Sequence, residues 1–332
     1  MMIVIDSAIP FVEGLFEPYA TVLRRPGSQI CRDDVRDADA LIIRTRTRCD
    51  AALLEGSQVS IIATATIGFD HIDLDYCYDH GIEVATAAGC NARGVLQWVA
   101  ATLALLARRD GFAPKERTLG IVGVGNVGRL VEQYGRAWGF RVICCDPPRE
   151  ERERLGFVEL DELLQQADIV TFHVPLDATT HHLLNRQNIH LVRPGATIIN
   201  ASRGEVIDTE TLLERDDLTC ALDVWEHEPN IDTTLLQRAI VTTPHIAGYS
   251  RQGKANAAAM VVESVARRLD LPIEGWYPPT VERPTPRDIS WSEMCESIAH
   301  YCDLPSESAT LKGDASQFEA LRNDYRLRDE YF

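Results

Sequence analysis

Short runs of β-branched and other apolar residues alternate with stretches of helical periodicity along most of the chain. This alternation is typical of a parallel sheet flanked by helices. Three strands are predicted before a long amphipathic helix at residues 91–109. After it come a strand, a glycine-rich turn, a helix ending at Trp138 and five more strands. The predicted strands are 3–5, 40–44, 61–64, 119–122, 141–145, 169–173, 196–200, 220–223 and 240–243.

This pattern predicts two α/β units in tandem, joined by the helix at 91–109. A second long helix is predicted at 253–269, where apolar residues recur at helical spacing. Residues 271–286 contain five prolines and are predicted to be a linker, and a tail at 289–332 follows.

Length and charge limit the possible functions. The chain has 332 residues, and domains of roughly 100–200 residues each make two domains the expected number. Its formal net charge is −17, which repels nucleic acid and anionic membrane surfaces, so neither is expected as a partner. An anionic small substrate would need a local cluster of arginines.

The cysteines predict a reducing, cytoplasmic environment. There are nine of them, scattered along the chain with no C-x-x-C pair, so neither a zinc site nor a thioredoxin-like motif is predicted, and a reduced compartment is favoured. The first residues lack the basic start and long apolar stretch of a signal peptide. The longest mostly apolar run, 95–107, is shorter than the ~20 residues that a membrane span requires.

The strongest local motif is a glycine-rich loop between a predicted strand and a predicted helix. Gly123, Gly125 and Gly128 form G-x-G-x-x-G, with Asn126 and Val127 between the last two glycines. Such a loop permits a tight turn, a close backbone approach to a pyrophosphate and close helix packing. Asp146 lies 18 residues after Gly128, where an acid binds ribose hydroxyls and favours NAD over NADP. The motif alone is also compatible with a plain strand–turn–helix.

Three further motifs each follow a predicted strand, at the sheet edge where open α/β folds bind ligands. Arg203 lies in the first, at 200–204, and can bind a carboxylate through its planar fork. Glu228 lies in the second, at 223–229, and His245 in the third, at 243–248. A histidine can move a proton near neutral pH, and a glutamate can stabilise its imidazolium form. Taken singly, these are also compatible with a surface arginine, a glutamate at a helix start and a capping histidine.

In this order behind the glycine loop, the motifs resemble the D-2-hydroxyacid dehydrogenase family over roughly residues 1–270. Within the family, the chain is most similar to a subfamily that oxidises a small phosphorylated 2-hydroxy acid with NAD. The stretches that carry this similarity are 64–73, 89–92, 109–112, 145–149 and 245–250.

The resemblance implies roles for individual residues. Arg203, Glu228 and His245 would be the catalytic set, and Thr45, Thr66 and Tyr249 would contact substrate. Besides the glycine loop, the implied NAD contacts are Asp146, Val174, Ala201, Ser202, Arg203, Asp223 and Gly248.

The resemblance also implies the architecture. We expect two Rossmann-like, doubly wound parallel-sheet domains with a cleft between them and a short C-terminal appendage. The substrate domain would be discontinuous, at 1–92 and 250–280, and the NAD-binding domain would be 93–249. Residues 281–332 would be a shortened dimerisation segment of a homodimer.

Two patterns supplement these expectations. Arg44, Arg46 and Arg48 alternate, so an extended chain would place them on one face. They would then bind a phosphate or carboxylate, with Arg44 the preferred member, or form part of a solvated loop. In the tail, apolar residues at 318, 321 and 325 have helical spacing, and such a stripe requires a covering surface.

Some alternatives stay open from the sequence. Gln97 stands where relatives commonly have glutamate, which puts one contact of the long helix in doubt. The chain could be another family member, such as a D-3-phosphoglycerate dehydrogenase. It could also be an NAD-sensing binding module, or a structural dimer with a vestigial cofactor site.

Overall fold

The computed structural model describes residues 1–154 and 156–332. Their contacts divide the chain into two compact units. The first contains Met1–Asn91 and Ser250–Pro284, and the second contains Ala92–Tyr249 and Thr285–Phe332. In the described part of the chain, no helix combines the length and apolar character needed to cross a membrane.

The first unit is built on a five-stranded parallel sheet. Its strand order is β2-β1-β3-β4-β5. The strands are β1 (Met2–Asp6), β2 (Thr21–Arg25), β3 (Ala40–Ile43), β4 (Ile61–Thr64) and β5 (Glu83–Thr86). The helices of this unit are α1 (Arg32–Val35), α2 (Ala51–Leu54), α3 (Leu74–Asp79) and α10 (Arg251–Leu269).

Both faces of this sheet are covered, as continuous apolar strands require. Every residue of β3 and β4 is buried. Val261 and Val265 of α10 pack on one face, and Val35 and Leu54 pack on the other. Ser250 caps α10 by accepting a hydrogen bond from the backbone N–H of Gly253, so the helix begins directly after the end of the 243–248 motif.

The second unit contains a six-stranded parallel sheet in the order β11-β10-β9-β8-β6-β7. The strands are β6 (Thr118–Val122), β7 (Arg141–Cys145), β8 (Ile169–Phe172), β9 (Thr197–Asn200), β10 (Thr219–Leu222) and β11 (Val241–Thr242). Its helices before the tail are α4 (Ala92–Asp110), α5 (Asn126–Trp138), α6 (Pro147–Glu153), α7 (Leu160–Gln166), α8 (Thr209–Leu213) and α9 (Thr233–Arg238).

The order of these strands locates the ligand-binding edge. From β6 the chain moves outward to β7 and then returns to pair β8 on the other side of β6. The strand order thus reverses between β6 and β8, and open α/β sheets bind ligands at the carboxyl ends of strands beside such a reversal. The glycine-rich loop directly follows β6. The predicted fold class of two parallel-sheet α/β domains is confirmed.

The tail forms three short helices, α11 (Trp291–Ser297), α12 (Leu304–Gly313) and α13 (Phe318–Asn323). They belong to the second unit and pack against its other helices and its sheet. Met294 and Ile298 join the core that contains α4 and α5, and the Phe332 ring lies 5.2 Å from that of Tyr134. Phe318 is fully buried in the core on the other face of the sheet.

Gln97 connects α4 to the last residues of the tail. Its side-chain amide donates to the carbonyl oxygen of Asp329 at 3.1 Å and accepts from the backbone N–H of Tyr331 at 2.8 Å. A glutamate carboxylate accepts only, so glutamate could form the bond with Tyr331 but not the one with Asp329. The amide of Gln97 forms both.

The covering surface that the apolar stripe of the tail requires lies in the same chain. Phe318 is buried and Leu321 is partly buried, both in the chain's own core. The Tyr325 hydroxyl donates to Oε1 of Glu307 at 2.7 Å. The second unit therefore covers the stripe, and dimerisation has to be argued on other grounds.

Candidate active site

A buried carboxylate fixes the loop that carries His245. Asp223 follows β10 and is 1% exposed. Its Oδ1 accepts from the Thr243 hydroxyl at 2.6 Å and from the backbone N–H of Ile246 at 2.8 Å. Its Oδ2 accepts from the backbone N–H of Ala247 at 2.9 Å. His245 itself has φ 58°, a left-handed conformation that needs such restraint in a residue other than glycine.

Glu228 and His245 form a direct pair. Nδ1 of His245 lies 2.8 Å from Oε2 of Glu228, and because a carboxylate only accepts, Nδ1 is the donor. The other oxygen of Glu228, Oε1, accepts from the backbone N–H of Trp225 at 3.0 Å. This tautomer leaves the lone pair of His245 Nε2 to accept a proton.

The surroundings keep Glu228 ionised. Burial by itself would raise the pKa of this carboxyl. The charge and hydrogen bond of His245, the Trp225 N–H and the charge of Arg322 together outweigh burial, so the pKa lies below its ordinary value. A charged Glu228 can stabilise the positive charge that His245 gains when it takes up a proton.

A second histidine–glutamate pair joins this loop to the segment that follows β8. His182 Nε2 is 2.7 Å from Oε1 of Glu226, whose other oxygen accepts from the backbone N–H of Thr209 at 2.7 Å. The loop therefore carries two carboxylates with separate partners, and the structure places Glu228, not Glu226, on His245.

Arg203 is brought close to this loop by a glycine. A Cβ added to Gly204 would lie 2.0 Å from the backbone carbonyl of Trp225, so only glycine permits this approach of the two loops. Arg203 begins the turn after β9, and its Nη1 donates to the carbonyl oxygen of Ser202 at 2.8 Å. Arg203, Glu228 and His245 therefore follow three neighbouring strands, β9, β10 and β11.

The glycine-rich loop fits a dinucleotide. A Cβ on Gly128 would lie 2.0 Å from the carbonyl oxygen of Gly123, whereas one on Gly125 would contact nothing within 4 Å. The protein's own packing therefore explains Gly128 but not Gly125, whose open space suits a pyrophosphate. Gly125 and Asn126 are exposed, and no side chain caps α5, so its first N–H groups can bind phosphate oxygens.

Asp146 ties the glycine-rich loop to the next helix. Its Oδ2 accepts from the backbone N–H of Val124 at 2.7 Å, and its Oδ1 accepts from that of Arg149 at 3.0 Å. Each carboxylate oxygen retains a second acceptor position, so the predicted contact with ribose hydroxyls is compatible with these bonds.

The remaining predicted cofactor contacts lie near the same sheet edge. Val174 follows β8 and would collide with a Cβ on Gly123 at 2.7 Å. Ser202 donates to Asn200 Oδ1 through both its backbone N–H and its hydroxyl, which fixes the turn that contains Ala201. Gly248 follows directly after the loop that Asp223 restrains.

Three predicted substrate contacts belong to the first unit. Arg44 Nε donates to Oδ2 of the fully buried Asp6 at 2.9 Å, so this guanidinium already has a carboxylate partner. Thr45 is exposed. The Thr66 hydroxyl lies 2.7 Å from that of Thr64.

Of the two alternatives for 44–48, an extended segment and a loop, the structure shows a loop with a turn. The backbone N–H of Thr47 donates to the carbonyl oxygen of Arg44 at 3.2 Å, and the Thr47 hydroxyl donates to Gly27 at 2.9 Å. Arg48 pairs with Asp50 at 2.8 Å. These local bonds outcompete the extended form, so the three arginines do not share a face through strand alternation.

Sequence reasoning missed Arg322 of α13. Its Nη1 lies 3.7 Å from Oε2 of Glu228, and its Nε donates to the hydroxyl of Tyr249 at 3.4 Å. No motif marks Arg322, because the contact joins the tail to loops that are distant in sequence.

Comparison with known proteins agrees with this geometry. Residues 95–247 match the model of the D-isomer specific 2-hydroxyacid dehydrogenase, NAD binding domain. An erythronate-4-phosphate dehydrogenase of Bacteroides fragilis (strain YCH46) is 46% identical over 340 residues, covering 99% of this chain and 97% of that protein. The chain belongs to the D-2-hydroxyacid dehydrogenase family.

Solved structures of family members have the same fold. A D-lactate dehydrogenase from Aquifex aeolicus in complex with NAD and lactic acid is 25% identical, with a TM-score of 0.67 over 81% of this chain and 96% of that one. An NAD⁺-bound 3-phosphoglycerate dehydrogenase of Entamoeba histolytica is 25% identical, with a TM-score of 0.69 over 83% and 98%. The predicted family, NAD cofactor and oxidoreductase class are confirmed.

Replacement of His245 tests its predicted role as the base of this dehydrogenase. His245→Ala should lower turnover by about 10²–10⁴-fold, the usual span for loss of a general base, while NADH affinity stays within about threefold. The measurement is steady-state turnover together with NADH binding by fluorescence. His182→Ala, from the neighbouring pair, is the control and should keep turnover within about threefold. Full activity of His245→Ala would remove this residue from the reaction.

Proposed function

We propose that this chain oxidises 4-phospho-D-erythronate to (R)-3-hydroxy-2-oxo-4-phosphooxybutanoate with NAD⁺, a step of pyridoxal 5′-phosphate (vitamin B6) biosynthesis. The observation that carries the reaction class is the 2.8 Å pair between His245 Nδ1 and Glu228 Oε2, held beside the Arg203 loop. The choice of substrate is supported by the full-length relatives named erythronate-4-phosphate dehydrogenase.

His245 is the proposed base. Its Nδ1–H is held by Glu228, so Nε2 can accept the proton of the substrate's C2 hydroxyl. The glycine-rich loop would hold NAD⁺, which would supply the acceptor for the hydride that leaves C2. His245 leaves this step as an imidazolium, whose charge the ionised Glu228 stabilises. In the reverse direction the same imidazolium donates the proton.

Arg203 is proposed to bind the substrate carboxylate. A guanidinium presents paired N–H donors in the plane that a carboxylate requires. One Arg203 donor is held by the Ser202 carbonyl at 2.8 Å, which limits the orientations of the side chain. Its charge also stabilises the C2 oxygen, where negative charge develops as the proton leaves.

Substrate recognition requires cations at both ends of the molecule. A chain of net charge −17 must place local positive charge against a ligand with both a carboxylate and a phosphate. Arg203 serves the carboxylate, and Thr45, Thr66 and Tyr249 are proposed substrate contacts by family resemblance. Arg44 is proposed to help bind the phosphate. Its Nε is paired with Asp6, and other N–H groups of the same guanidinium would donate to the phosphate.

A substrate panel tests this assignment. The measurement is kcat/KM from NADH absorbance with 4-phosphoerythronate, 3-phosphoglycerate and unphosphorylated erythronate. We expect 4-phosphoerythronate to exceed each competitor by at least about tenfold, because a phosphate-binding site loses its charge-assisted bonds with the unphosphorylated acid. A preference for either competitor would reject the substrate and keep the reaction class. NAD binding without turnover of any hydroxy acid would favour a sensing module or a vestigial site.

We also propose that the protein works as a homodimer in the cytoplasm. The family resemblance supports the dimer. The nine cysteines, all free of disulfides among the described residues, support a reducing compartment. Light scattering at micromolar concentration should give twice the 37.0 kDa chain mass, and a monomer would contradict the dimer.

A further inference from the structure

Arg322 brings a fixed positive charge from the tail to the proposed catalytic pair. Its Nη1 lies 3.7 Å from Oε2 of Glu228, the same oxygen that holds His245. Its Nε donates to the Tyr249 hydroxyl at 3.4 Å. The side chain is only 22% exposed, so solvent screens this charge less than it screens a surface arginine.

The tail holds Arg322 in place from both sides. Before it in the chain, Phe318 is fully buried in the core of the second unit. After it, the buried Arg328 donates to the carbonyl oxygen of Gly94 at 3.2 Å and to that of Ala247, two residues beyond His245. The Tyr325 ring packs edge-on against Tyr249 at 6.2 Å. These contacts fix the segment that carries Arg322 against the loop that carries His245.

We propose that Arg322 is a positioning residue that keeps His245 neutral and ready to accept a proton, which makes the C-terminal tail part of the catalytic apparatus. The inference rests on the proposed function. Glu228 favours the imidazolium form of His245, and an adjacent guanidinium opposes it. Arg322 thus limits how strongly Glu228 stabilises the imidazolium, so that His245 can release its proton in every cycle.

Other charged groups surround the pair. Glu319 lies 4.0 Å from Arg322 Nη1 and offsets part of its charge. The buried carboxyl group of Asp223 also contacts the His245 loop, where it accepts from the backbone N–H of Ile246. Tyr249 faces Arg322, and behind it lie Tyr325, Glu307 and Arg328. Besides His245 itself, Arg322 lies in direct ion-pair range of Glu228, so removal of its charge should dominate the change in the titration of His245.

The sign of the effect follows from charge. Removing a positive charge near the pair makes the imidazolium more stable, so His245 should lose its proton at a higher pH. Oxidation needs neutral His245, so the acidic limb of the kcat/KM profile should move up. An upward shift of about 0.5–1 pH unit corresponds to a 3–10-fold loss of kcat/KM below the midpoint. Well above the midpoint the loss should be within about threefold.

Arg322→Gln is the test variant. Its kcat/KM for 4-phosphoerythronate should be measured across pH 5–10 beside the wild-type profile. Arg322→Lys keeps the charge and should keep the midpoint within about 0.3 unit of the wild type. Arg326→Gln is the matched control, because it removes the same charge from an exposed position of the same tail. Thermal melting and NADH affinity of each variant report whether the fold is intact.

A second readout does not depend on turnover. The titration of His245 can be followed by NMR in protein labelled at histidine with ¹⁵N, with its signal assigned by its absence in His245→Gln. The midpoint of this signal should rise in Arg322→Gln and not in Arg326→Gln.

These outcomes separate the inference from the proposed function. If Arg322→Gln lowers activity equally at every pH and leaves the NMR midpoint unchanged, Arg322 has only a structural role and the inference is wrong. Equal midpoints of the His245 titration in Arg322→Gln and Arg326→Gln would also overturn the inference. If the wild-type protein oxidises no 2-hydroxy acid, the proposed function fails instead, and the NMR titration still decides whether Arg322 acts on His245.

Discussion

The buried carboxylate of Asp223 is the constraint on which the proposed site depends. An ionised group at 1% exposure is costly unless it is paired or fully hydrogen-bonded. Here two backbone N–H groups and the Thr243 hydroxyl satisfy it. Those donors belong to the loop after β11, so stabilising the carboxylate and fixing His245 in its left-handed conformation are the same event.

The parallel sheet then brings the other groups to this point. The turns after β9, β10 and β11 lie side by side because their strands are neighbours. The absence of a side chain at Gly204 lets the first turn approach the second. The indole N–H of Trp225 donates to the Thr243 carbonyl at 3.0 Å, which links the second turn to the third. Backbone packing thus places the proposed catalytic groups, and the tail brings Arg322 next to Glu228.

The sequence predicted the parts of this arrangement that are local. The glycine-rich loop and the three strand-end motifs follow strands that are buried on both faces. A run of apolar residues therefore predicts each of these strands. Strands β2 and β5 were missed because they lie at the edges of the first sheet, where no residue is buried and polar residues such as Arg24 and Glu83 leave only a short apolar run. The sequence left 44–48 open between an extended segment and a loop, because hydrogen bonds, not periodicity, decide its shape. The stripe at 318–325 revealed its need for cover but not which surface covers it, and Arg322 could not be found from spacing at all.

The pH dependence of Glu228→Gln tests the central claim most directly, since an amide can still accept from His245 Nδ1–H but carries no charge. If Glu228 acts by stabilising the imidazolium of a proton-accepting His245, the acidic limb of kcat/KM for the oxidation should move down by about one pH unit. Turnover above the midpoint should also fall by at least about tenfold. An acidic limb and a turnover equal to those of the unmodified protein would contradict the account, because the 2.8 Å pair would then have no part in the chemistry.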